Sequence, residues 1–320
     1  MSRGRANLVT NKKSARSPAI RSLTTEDYAM TATAAKPGTS AFDVEDIEYL
    51  RHGDKPLLLR LFKPRGKGPF PLMIDLHGGA WCNLDRTSDI MFNEALAKSG
   101  IAVAALDFRM PPEAAYPASL ADINYATRWL KSKAADLNIR ADRVGYIGIS
   151  SGGHQGMLAA MRPSDSRYAA ISLAGAKGID AKVNCVVMVW PVIDPLGRYN
   201  VAKKVTAAGG KYPEQFDRVI PSHIKFWGDE AAMDEGSPPA ILERGEAVEL
   251  PPVFYVQGAN DVVHPRPQLE RFVELYRRRG GKLDLALYEG EAEGFIRNPD
   301  SKAGPQAMQR LLDYVHAQLD

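Results

Sequence analysis

The sequence predicts a doubly wound, mostly parallel α/β sheet carrying a helical cap, and three observations lead there. From Leu72 onward short apolar runs alternate with amphipathic helical stretches, which is the pattern of successive βα units. Two Gly-rich turns each follow such a run: His77-Gly78-Gly79-Ala80-Trp81 after residues 72–76, and Gly148-Ile149-Ser150-Ser151-Gly152 after residues 144–147, roughly 70 residues later. A chain of 320 residues with 45% hydrophobic and 25% charged residues has the composition of one large globular domain.

The elements follow in order. Residues 1–41 read as a basic flexible arm that also supplies part of the cap: Arg3, Arg5, Lys12, Lys13, Arg16 and Arg21 meet no acidic residue within the first 21. The formal charge is only +3, so neither nucleic acid nor a membrane surface is an expected partner. The arm lacks the apolar core of a signal peptide, and no stretch approaches a membrane span, so a cytoplasmic location is expected. Residues 42–320 form the domain, opening with two antiparallel edge strands at 44–49 and 57–62. Helices are expected at 90–99, 119–135, 152–161, 267–280 and 307–318. The alternation breaks at about 191–250, a stretch with Phe226, Trp227, Met233 and many charges, which is expected to form the cap and set specificity.

The chemistry is concentrated in the two turns. An apolar run entering Gly-x-Ser-x-Gly and then a helix turns sharply, with small residues where backbones nearly touch, and such a turn exposes the Ser150 hydroxyl. On a parallel sheet the two turns lie side by side, so the amides of Gly78, Gly79 and Ser151 form an oxyanion hole. Cys82 and Cys185 give neither a disulfide framework nor metal-ligand spacing, and no cofactor or metal is expected. The expected partner is a small-molecule substrate; a homodimer stays open.

These motifs, with Asp107-Phe108-Arg109-Met110-Pro111-Pro112-Glu113, Tyr116-Pro117-Ala118, Asp122 and Trp129 between them, resemble the hormone-sensitive-lipase-like branch of the α/β-hydrolases, which includes kynurenine-formamidase-like esterases. The resemblance runs from about Phe42 to the C-terminus and implies that fold and a Ser150 nucleophile. It puts the acid at Asp261, in Gln257-Gly258-Ala259-Asn260-Asp261, and the base in a G-x-x-H-G-F context. Here that context reads Gly290-Glu291-Ala292-Glu293-Gly294-Phe295, with Glu293 where the family has histidine.

A histidine elsewhere is the alternative base. His52 and His316 lie on the wrong side of the sheet, His77 braces the oxyanion turn, and His154 sits in the elbow helix as in the formamidase-like relatives. His264, three residues after Asp261, and His223, in the cap, remain within range. The expectation is a serine hydrolase of carboxylic esters, or of lactones, amides or carbamates, working through a Ser150 acyl-enzyme with an atypical Ser150-Glu293-Asp261 triad. Trp81, Tyr116, Phe226 and Trp227 are expected to line its pocket. The alternative is a non-hydrolytic use of the fold, as a lyase or dehydratase or as a small-molecule receptor like the plant gibberellin receptors.

Overall fold

The structure is a computed structural model that describes Met1 and residues 41–175, 177–210 and 214–320. The basic arm expected over residues 1–41 therefore lies, its two end residues apart, outside the described residues.

Eight strands build one sheet. β1 (Phe42–His52) and β2 (Lys55–Pro64) pair antiparallel, and β2 pairs antiparallel with β4 (Ala102–Leu106). β3 (Phe70–Leu76) runs parallel to β4 on one side and to β5 (Ile139–Ile149) on the other. β6 (Cys185–Val189), β7 (Val253–Gly258) and β8 (Leu283–Tyr288) extend the sheet in parallel, giving the order β1-β2-β4-β3-β5-β6-β7-β8. The chain steps from β3 outward to β4 and then back across to β5, so the switch point of the sheet lies between β3 and β5. Both Gly-rich turns leave from there, with Leu76 paired to Gly148.

Helices cover both faces. α1 (Ile90–Ser99) and α10 (Gly304–Leu319) pack on the face where Met73, Val103, Ile147 and Val187 point. α2 (Ala118–Ser132), the single turn α3 (Ala134–Leu137), α4 (Ser151–Met161) and α9 (Arg266–Arg278) accompany the other face, that of Leu72, Ile74 and Leu76; alternation along β3 separates the two cores. The helix expected over 119–135 is thus two pieces, with Lys133 flattened between them. In α9, Leu269, Phe272, Val273 and Tyr276 recur at helical spacing and are buried while its arginines face out. Between β6 and β7 come α5 (Pro195–Ala207), α6 (Glu214–Trp227), α7 (Glu230–Glu235) and α8 (Pro238–Glu243).

Candidate active site

Ser150 is the junction of β5 and α4, with φ 53° and ψ −116°. That left-handed backbone is costly for serine and lifts its side chain out of the turn. Glycine is required on either side of it. A Cβ on Gly148 would stand 2.5 Å from the backbone of Gly152, and one on Gly152 only 1.8 Å from the carbonyl oxygen of Leu76. The elbow is therefore pressed directly against the end of β3, where the second turn begins.

That second turn is held in an unusual path, with Ala80 and Trp81 at φ 52° and 61°. The amides of Cys82 and Asn83 close it on Gly79 O, and the Trp81 amide donates to Ser151 Oγ at 3.1 Å, joining the two turns. A Cβ on Gly78 would lie 3.5 Å from Ser150 Cβ, so the Gly78–Gly79 backbone borders the serine. His77 stacks on Phe108 at 4.3 Å, and its Nδ1 donates to Gly78 O at 3.0 Å. Burial lowers its pKa, which keeps it a neutral brace.

The residue facing Ser150 is His264. Its Nε2 lies 3.1 Å from Ser150 Oγ, and its Nδ1 lies 2.9 Å from Asp261 Oδ2. With a carboxylate accepting from Nδ1–H, Nε2 is left as the acceptor for the serine hydroxyl. Asp261 Oδ1 accepts from the amides of Val263 at 2.8 Å and His264 at 3.0 Å. Burial works to raise the Asp261 carboxyl, but the adjacent imidazole and the two amides outweigh it and hold the group below its ordinary value. Asp261 and His264 are buried while Ser150 is partly exposed, so the serine is the reachable end of the chain.

Glu293, the base expected from the sequence, is not the group bonded to Ser150. It is exposed, on the turn between β8 and a short 3-10 helix (Phe295–Arg297), while the carboxylate of Asp261 is engaged by His264 from its own turn. The Asp261-x-x-His264 turn brings an imidazole back over its own carboxylate. The signal was in the sequence, since His264 is three residues beyond Asp261.

The other histidines are accounted for. His154 accepts from Trp81 Nε1 and bonds Gly236 O, and burial pushes its pKa down to about 4. His52 bonds Asp122, which also takes Arg109 through both oxygens, and His316 bonds Asp320. His223 is buried with its ring 4.9 Å from Trp81. Trp81, Phe226 and Trp227, expected to line a pocket, are instead buried in one aromatic block, Trp81 stacking on Phe226 at 5.5 Å and meeting Trp227 edge-on. Tyr116 joins them, 4.6 Å from Trp227, and remains half-buried. Beside His264, Pro191–Asp194, Arg198 and Tyr255 enclose a cavity of about 10 Å³. Among the described residues no cluster of three or more His, Cys, Asp or Glu could hold a metal, and Cys82 and Cys185 are free thiols. Nor is any described helix long and apolar enough to cross a membrane.

Known proteins of this kind are numerous. The chain is 26% identical over 255 residues to esterase LipC of Mycobacterium tuberculosis, covering 78% of this chain and 59% of LipC. It is 24% identical over 212 residues to the probable carboxylic ester hydrolase LipM of the same organism, covering 66% of this chain and 46% of LipM. The chain thus spans about half of each curated relative. Among solved structures, a hyperthermophilic esterase of the archaeon Pyrobaculum calidifontis superposes with a TM-score of 0.68 at 20% identity, over 86% of this chain and 85% of that one. The thermophilic carboxylesterase EstE1, from a metagenomic library, gives 0.69 at 19% over 88% and 91%. These likenesses establish the α/β-hydrolase fold. The BD-FAE family model matches residues 59–275, a stretch holding both turns, Ser150 and the Asp261–His264 turn, and the chain belongs to the BD-FAE family.

Proposed function

We propose that the chain is a carboxylic ester hydrolase in which Ser150 is the nucleophile, His264 the general base and Asp261 the group that orients and stabilises the imidazole. The observation that carries the reading is the continuous hydrogen-bonded line from Ser150 Oγ through His264 to Asp261, at 3.1 and 2.9 Å. In this reading His264 replaces Glu293 as the base. Esterase names among the relatives support the same reaction class.

Ser150 Oγ attacks the ester carbonyl carbon while its proton passes to His264 Nε2. The carbonyl oxygen takes the negative charge and faces the amides of Gly78, Gly79 and Ser151. Ser151 opens α4, so its N–H has no partner within the helix and is free to serve. Collapse breaks the C–O bond to the leaving alcohol, which takes the proton from Nε2 and leaves an acyl-Ser150. Water then adds with His264 again accepting its proton, the acid departs, and the proton returns to Oγ. Asp261 does not change protonation: its depressed pKa keeps it anionic beside the imidazolium. The helices between β6 and β7 act as the cap, since α6 packs Phe226 and Trp227 onto Trp81 of the oxyanion turn.

A fluorophosphonate probe tests the reading, because only an activated serine reacts quickly. Fast labelling of wild type, lost with ester turnover in Ser150→Ala, is expected. Equal slow labelling of both proteins would instead favour a binding protein or a reaction that does not use Ser150 covalently.

A further inference from the structure

Placing acid and base on one four-residue turn changes what fixes the imidazole. When the two come from separate loops each is held by its own strand; here the ring's aim at Ser150 depends on the path of a single turn. That turn is tied at its start by the Asp261 amide, which donates to Gly258 O at 3.2 Å, and in its middle by the Asp261 carboxylate. Its far end is tied by a side chain the reaction does not touch. Gln257 Nε2 donates to the carbonyl oxygen of His264 at 2.8 Å. Both backbone polar groups of His264 are thus satisfied by side chains, the N–H by Asp261 and the C=O by Gln257.

Gln257 suits this task. It is the penultimate residue of β7, locked in register opposite Leu287 of β8, and only 1% exposed. Tyr255, two residues earlier and on the same side of the strand, donates its hydroxyl to Gln257 Oε1 at 3.3 Å. Burial, and secondarily the Asp261 charge, keep that phenol protonated and so a donor. With Oε1 facing a donor, the amide has one favourable orientation, the one that presents Nε2 to His264 O. A side chain needed only for packing has no reason to be an amide here.

We propose that Gln257, oriented by Tyr255, is a positioning residue that holds the Asp261–His264 turn in the path from which His264 reaches Ser150. The proposal rests on the reading of His264 as the base and adds to it a residue outside the triad. It acts through the backbone of His264 and never meets substrate.

Two variants test it on the full chain, with p-nitrophenyl acetate as substrate and the fluorophosphonate probe alongside. Gln257→Leu keeps the volume and removes the donor. It is expected to fold, keep KM, lose kcat on the order of 10²-fold, as a small misplacement of a reacting group does, and shift or broaden the downfield proton signal of the His264–Asp261 hydrogen bond. Gln257→Glu can donate to His264 O only when protonated, so its activity relative to wild type should rise as pH falls. Circular dichroism at each pH keeps loss of folding apart from loss of activity. Wild-type kcat and an unmoved proton signal in a folded Gln257→Leu would overturn the proposal, and should that variant not fold, a flat or falling activity ratio for Gln257→Glu would do so. If wild type itself fails to label at Ser150, the hydrolase reading falls first; rapid labelling of wild type and Gln257→Leu alike removes only the role of Gln257.

Discussion

Asp261 and His264, three residues apart on one turn, are bonded to each other twice: Oδ2 takes the ring Nδ1 at 2.9 Å, and Oδ1 takes the His264 backbone amide at 3.0 Å. Asp261 therefore builds the turn on which His264 stands as well as orienting its ring. Because burial alone would favour a neutral carboxyl, the bonds from His264 and Val263 are what keep Asp261 charged.

Asp261→Asn should accordingly cost kcat on the order of 10³–10⁴-fold, since the amide can present an N–H to Nδ1 and favour the wrong tautomer. The same variant should change acid stability. A carboxylate whose folded pKa lies below its unfolded value of about 3.9 contributes stability that is present above that value and lost as pH falls through the folded one. Thermal melts from neutral pH downward should show a steeper acid-side decline in wild type than in Asp261→Asn. Parallel curves would contradict this.

The opposite slope is expected from Asp75, buried on β3 two residues before His77. Burial first, then the nearby Asp89, raise its carboxyl well above the usual range; Asn93, Arg297 and the Leu76 amide oppose them. Asp89, paired with Arg297, is itself pushed up to about 6 by burial. A raised folded pKa means that the favourable contribution is complete below about pH 4 and is lost as pH rises through the folded value. Asp75→Asn, which mimics the protonated acid and keeps the partner Asn93, should therefore flatten the fall of Tm that begins as pH rises above about 4. An unchanged slope would mean that burial does not raise the Asp75 carboxyl.

Gly152→Ala tests the contact between the two turns. Its Cβ would lie 1.8 Å from Leu76 O and 2.5 Å from His77 O, both backbone atoms at the end of the central strand. Loss of more than about 3 kcal/mol is expected, seen as insoluble expression or a collapsed urea midpoint. A variant as stable as wild type would mean that the Ser150 elbow and the His77–Trp81 turn stand apart.

Much of this was legible in the sequence, because short-range chemistry wrote it. Strand alternation, the glycines at 148 and 152 and the His77-Gly78-Gly79 turn each report a local backbone demand, and they placed the two turns side by side on a mostly parallel sheet. The helix over 90–99 matches α1 end for end, with Gly100 in the left-handed conformation closing it. What sequence left open between Glu293 and His264 was which of the two turns brings a side chain to Ser150. A landmark register correctly located Glu293 after β8, yet register says nothing about where a side chain points, and the decisive contact spans 114 residues. The aromatic residues went astray for a similar reason: Phe226 and Trp227 carry no mark in sequence that they face Trp81 and not a cavity.

The most direct test of the account is the rate at which a fluorophosphonate labels Ser150 in His264→Ala and in Glu293→Gln, both verified as folded, at one near-neutral pH. The account predicts that His264→Ala slows labelling by the 10²–10⁴-fold typical of a lost general base, while Glu293→Gln reacts as wild type does. Slow labelling in Glu293→Gln with His264→Ala unimpaired would contradict it and return the base to the β8 turn.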